Sequence, residues 1–115
     1  MQRLVVAAIL VLALHAPAGS AQKMRFWNLT ANTITELYLA PAGTDQWGPN
    51  QTLNDDDKTV EADERLDLEG VTPGLYDVRF KDETGRSCEV RNVEVKGTGK
   101  YAFAIQEKQL KGCTQ

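Results

Sequence analysis

The sequence predicts an all-β domain: a small antiparallel β-sandwich, Ig-like or prealbumin-like, closed by one disulfide. Three observations predict it. Apolar and charged residues alternate with period two over the C-terminal half, turn signals built on Gly, Pro and Asp punctuate the chain at short intervals, and the only two cysteines both lie in that half. At 115 residues there is room for one domain.

Phe26-Trp27-Asn28-Leu29-Thr30 and Ile34-Thr35-Glu36-Leu37-Tyr38-Leu39 are rich in strand formers and are separated by the polar Ala31-Asn32-Thr33. Trp27 is expected to face the core. Pro41 and Gly43 end the second run, and residues 43–58 read as a long polar loop with room for a short turn of helix. Leu66 and Leu68 then alternate with Arg65, Asp67 and Glu69, and Thr72-Pro73-Gly74 signals a turn. Tyr76, Val78 and Phe80 alternate with Asp77, Arg79 and Lys81, giving one apolar and one charged face. Asp82-Glu83-Thr84-Gly85 suits a type I turn, in which Asp bonds the following backbone and Gly adopts a left-handed conformation cheaply. Cys88 and Val90 continue the inward face, after which Val93 and Val95 stand one position out of phase. One extra residue near Arg91-Asn92, a β-bulge, accounts for the slip. Lys96-Gly97-Thr98-Gly99 reads as a further hairpin turn, followed by an inward face of Tyr101, Phe103 and Ile105.

Residues 1–21 have the pattern of a secretory signal peptide. Arg3 precedes eleven unbroken apolar residues, Leu4 to Leu14, and a small-residue stretch ends at Ala21. Cleavage is expected after Ala21, with Ala18 as the alternative. The apolar run is about half of what a membrane span needs, so no membrane span is expected and the protein is placed in the periplasm or outside the cell. Cleavage leaves 94 residues, of which 33 are apolar, and changes the net charge from −3 to −4. So thin a core needs support. In an oxidising compartment Cys88 and Cys113 can supply it as a disulfide, about 3.5 kcal/mol in the chain-entropy model.

The chemistry that is missing narrows the function. The single histidine, His15, lies in the signal peptide, so the remaining chain lacks imidazole as a general base or metal ligand, and Ser87 is its only serine. With both cysteines bridged no thiolate remains. The reading is a non-enzyme without a cofactor; a carboxylate-based hydrolase is the minority alternative. The acidic balance argues against nucleic acid as a partner. The run Asp55-Asp56-Asp57 is a weak candidate for metal binding through carboxylate oxygens, but an EF-hand loop begun at Asp55 would place Val60 and Leu66 where Gly and Glu are required. Asn28-Leu29-Thr30 and Asn50-Gln51-Thr52 match the glycosylation sequon.

Trp47 is the most suggestive binding residue, an indole in a polar loop beside Asp45 and Asn50. It serves either as a contact residue for a protein or glycan or as a plug over an open end of the sandwich. The expectation is an exported binding module, monomeric or weakly dimeric, with a structural spacer or envelope component as the alternative.

Ile34 to Gly43 with Trp47-Gly48-Pro49-Asn50, and later Tyr76-Asp77-Val78-Arg79 and the Asp82 to Gly85 turn, resembles small exported proteobacterial proteins of unknown function, in which Ser is usual where Ala40 stands. The resemblance implies a periplasmic or secreted β-domain and transfers no catalytic residue. Leu68 to Val78, with Pro73-Gly74 and Tyr76, looks more loosely like the strand-turn-strand of prealbumin-like and Cna-B-type sandwich modules. That likeness implies architecture only.

Overall fold

Among the described residues, six strands form two three-stranded sheets, β3-β1-β6 and β2-β4-β5. The structure is a computed structural model that describes residues 23–115; the expected signal peptide lies outside the described residues. The strands are β1 (Arg25–Leu29), β2 (Ile34–Pro41), β3 (Arg65–Asp67), β4 (Gly74–Asp82), β5 (Ser87–Val95) and β6 (Phe103–Gln106). Pairing is antiparallel throughout except between β1 and β6, which run parallel with Phe26 opposite Phe103. The two rings meet at 5.0 Å between centroids.

The core lies between the sheets. Phe26, Leu66, Phe103 and Ile105 come from one sheet and Ile34, Leu37, Val78, Phe80 and Val95 from the other. Period two decides most of this packing, because Val78 and Phe80 point in while Arg79 and Lys81 are exposed. The expected bulge is present. Tyr76 pairs with Val93 and Val78 with Val90, so Asp77 faces both Arg91 and Asn92, and Asn92 takes a φ of 57°. The Asp82 turn also forms: Asp82 Oδ1 accepts from the Thr84 and Arg86 N–H groups and the Thr84 hydroxyl, and Gly85 has a φ of 87°.

Three expectations are corrected. Trp27 does not face the core; the inward positions of β1 are Phe26 and Asn28. Asn28 is tolerated there because its amide donates to the Asn32 and Val60 carbonyls and accepts from the Thr30 N–H and hydroxyl, which leaves nothing unsatisfied. Tyr101 is 37% exposed rather than inward, since the chain bends at Ala102 before β6 begins. The Lys96 to Gly99 turn is a crossover from one sheet to the other, not a hairpin, because β5 and β6 belong to different sheets.

Two edges of the β2-β4-β5 sheet are covered. Along β2, the loop of residues 43–58 supplies partners to alternate residues: Gly48 N–H donates to the Leu39 carbonyl, Asn50 Oδ1 accepts from Leu37 N–H, and the Thr52 hydroxyl donates to the Thr35 carbonyl. Along β5, Thr114 and Ser87 exchange two backbone hydrogen bonds. That registers Cys88 against Cys113, whose Cα atoms are 4.3 Å apart and whose sulfurs are bonded. Such cover keeps edge strands from pairing with foreign chains.

Candidate functional site

The outer face of β2-β4-β5 carries an ordered chain of aromatic and charged groups that begins at Trp47. The indole is half-buried, yet it belongs to the outer surface: the Arg79 guanidinium, from the middle of β4, lies 4.1 Å from the ring centroid. Arg79 also approaches Glu89 at 3.6 Å across the β4–β5 pair. Glu89 Oε2 is 2.6 Å from Arg91 Nη2, an ion contact whose angle does not make it a hydrogen bond. Arg91 reaches on to Asp77 at 3.2 Å.

Asp77 is the fixed end of this chain. It is 2% exposed although it lies on the charged side of β4, because the bulge and the start of the loop close over it. Its carboxylate accepts from Gly43 N–H and Asn92 N–H, and these bonds, with Arg91 beside them, hold its pKa below the usual carboxylate value against the opposing effect of burial. One buried aspartate therefore ties the bulge of β5 to the first residue of the loop that carries Trp47.

The sequence-predicted residues of that loop occupy different settings. Asp45 stands exposed at the tip with a φ of 55°. Asn50 turns inward: its Oδ1 accepts from Leu37 N–H, Thr52 N–H and the Thr52 hydroxyl, so its oxygen builds the 3-10 turn of Gln51–Asn54. Asp55, Asp56 and Asp57 lie beyond that turn, with Asp57 N–H bonded to Asp55 Oδ2, and no metal-holding group of three or more His, Cys, Asp or Glu side chains is found among the described residues. Of the two sequon asparagines, Asn28 is completely buried and Asn50 is committed to the loop. A glycan on Asn28 would therefore require the fold to open.

Sequence reasoning missed Asp77 and Arg79 as site residues, reading both as ordinary members of a solvated strand face. The available signal was Asp77, which stands opposite the predicted bulge, where a side-chain acceptor is needed for the freed backbone donor. Elsewhere, Asp82 is 3% exposed. Burial opposes its ionisation, but the Thr84 hydroxyl and Arg86, with their backbone N–H groups, outweigh it and hold the pKa low. Arg86 extends to Glu107 at 2.8 Å, and with Ala31 N–H it lowers the Glu107 pKa as well. No helix among the described residues is long and apolar enough to cross a membrane.

These features define a class: a disulfide-linked two-sheet β-sandwich whose long loop runs along one sheet edge. Compared with protein-family models, with curated proteins and with solved structures, the chain matches none.

Proposed function

We propose that this protein is an exported, non-catalytic β-sandwich domain that works by binding, with the Trp47–Arg79 surface as its contact face. The observation that carries the reading is the placement of Trp47. The loop is already fastened on both sides of the indole, through Gly43 to Asp77, Gly48 to Leu39, Asn50 to Leu37 and Gln51 to Glu69. A large aromatic that neither fills the core nor is needed to hold its loop is the residue type that dominates protein and glycan contact surfaces. Arg79 on its face presents a planar cation beside it.

The non-catalytic part rests on the carboxylates. Four of the sixteen, Asp67, Asp77, Asp82 and Glu107, have lowered pKa values and engage structural partners, which suits fixed anions and not proton donors near neutral pH. Export rests on the apolar N-terminal run, on the disulfide, and on the resemblance to small exported proteobacterial β-domains.

The test is Trp47→Ala, assayed by capture of a partner from the native envelope fraction and by thermal unfolding. A hot-spot tryptophan costs about 2 kcal/mol or more on truncation, about 30-fold in affinity, while the melting temperature stays close to wild type. A large fall in melting temperature would make Trp47 a structural clamp and favour the spacer reading. Hydrolysis of a glycan or peptide, abolished by one Asp or Glu substitution, would overturn the non-catalytic reading.

A further inference from the structure

We propose a second binding site, on the opposite face of the sandwich, that takes an anionic sugar: a saccharide bearing a carboxylate or a phosphate. It stands independently of the Trp47 surface. A hollow of about 540 Å³ at the outer side of β3-β1-β6 is lined by Lys23, Arg25, Arg65, Gly99 and Lys100. Four cations thus converge on a chain whose overall charge is −3. Asp67 contacts two of them, Lys23 at 3.3 Å and Arg25 at 3.0 Å. Arg65 and Lys100 have no carboxylate within ion-pair reach among the described residues, whereas Arg25 and Arg79 each have one and Arg86 and Arg91 each have two. One carboxylate among four cations leaves a net positive group whose members repel one another, and an anion seated between them relieves that repulsion.

Arg65 is also held in place before any ligand arrives. Its guanidinium lies 4.2 Å from the Trp27 ring centroid, and Trp27 is fixed in turn by a 3.0 Å hydrogen bond from Nε1 to Asp63 Oδ1 and by Tyr101, edge-on at 5.2 Å. A planar fork held on an aromatic face, with its donors free, suits a carboxylate or phosphate and loses little freedom on binding. Tyr101 does not line the hollow itself, but it is exposed and edge-on to the Trp27 ring that carries Arg65, so a phenol ring stands one aromatic neighbour from that guanidinium, where the apolar face of a sugar can rest. The alternatives fit less well. Single-stranded nucleic acid calls for a basic groove with successive stacking rings, and here the cations form one compact group. An anionic membrane calls for several apolar anchors among the cations, and of the exposed large hydrophobic residues Leu53, Leu75 and Tyr101 none lines the hollow and only Tyr101 stands near it.

The test is isothermal titration of the purified protein at low ionic strength with oligogalacturonate, with glucose 6-phosphate and with neutral maltohexaose. At least one anionic sugar binds and maltohexaose does not; which of the two binds assigns carboxylate or phosphate. Arg65→Gln/Lys100→Gln weakens binding about tenfold or more, which corresponds to the loss of one good charge-assisted contact, whereas the charge-matched Lys108→Gln/Lys111→Gln changes it by less than about twofold. Should the first pair fail to fold, Lys100→Gln alone, on an exposed turn, weakens binding by about threefold. Three results would overturn the proposal: no binding of either anionic sugar, equal loss in the two charge-matched pairs, or tighter binding of a DNA oligonucleotide or of phosphatidylglycerol vesicles.

Discussion

Each sheet presents a tryptophan with an arginine stacked on it, and the two arrangements differ in what the arginine does next. On β2-β4-β5, Arg79 continues through Glu89 and Arg91 to the buried Asp77, so its charge is absorbed by a chain that ends inside the fold. On β3-β1-β6, Arg65 rests on Trp27 with no carboxylate partner among the described residues, beside Lys23 and Arg25, which share Asp67, and Lys100, which has none there. The same aromatic–guanidinium pair is thus tied into a chain that ends inside the fold on one face and stands among less fully paired cations on the other. The decisive difference is the buried carboxylate, because a surface ion pair is worth little by itself and a buried, fully bonded one holds its neighbours in place.

The largest effect expected from this contrast is on Asp77. Asp77→Ala strands the Gly43 and Asn92 backbone donors, while Arg91 keeps Glu89 and water, so it should lower unfolding stability by about 2–4 kcal/mol in urea titrations. Asp67→Ala on the opposite face removes only exposed pairs and should cost less than about 1 kcal/mol. Equal losses would erase the distinction between the faces. Of similar size is the staple on β5. Cys88→Ala/Cys113→Ala should cost about 2–5 kcal/mol and free the residues around Thr114 to exchange their amide hydrogens, because the Ser87–Thr114 bridge loses its tether.

Acid sharpens the comparison further. Asp77, Asp82 and Glu107 all have folded-state pKa values below the ordinary carboxylate value, held there by Gly43 and Asn92 N–H groups at Asp77, by Thr84 and Arg86 at Asp82, and by Arg86 at Glu107. A depressed pKa contributes stability that is present above the unfolded value, about 4, and is lost as pH falls through the folded one. Thermal melts should therefore be flat from neutral pH to about pH 5 and fall steeply below about pH 4. Asp77→Asn should make the acid limb shallower, since one of the linked protons is then absent.

Much of the fold was legible in the sequence because period two is a direct readout of sidedness. Val78, Arg79 and Phe80 could be sorted without a structure, and the slip from Val90 to Val93 located the bulge. β1 was misread for a physical reason. The pattern weighs residues by hydrophobicity, and Trp27 outranks Asn28, but the amide of Asn28 finds all its partners inside while the indole of Trp27 gains an arginine outside. The candidate surface was half legible. Trp47 could be singled out as an indole in a polar loop. Arg79 and Arg65 could not, because their roles depend on which strands become neighbours, and a local pattern does not carry that. The hairpin expected at Gly97 failed in the same way, as a turn signal marks where the chain turns and not which sheet it enters.

Both indoles lie on outer faces under arginine, outside the core. Acrylamide quenching of two single-tryptophan proteins, Trp27→Phe and Trp47→Phe, tests it most directly. Native Trp47 and native Trp27 should each be quenched appreciably, at a rate between those of a buried and a fully solvated indole. A native indole that acrylamide fails to reach, with strongly blue-shifted emission that moves red only on unfolding, would place that tryptophan in the core and contradict the account.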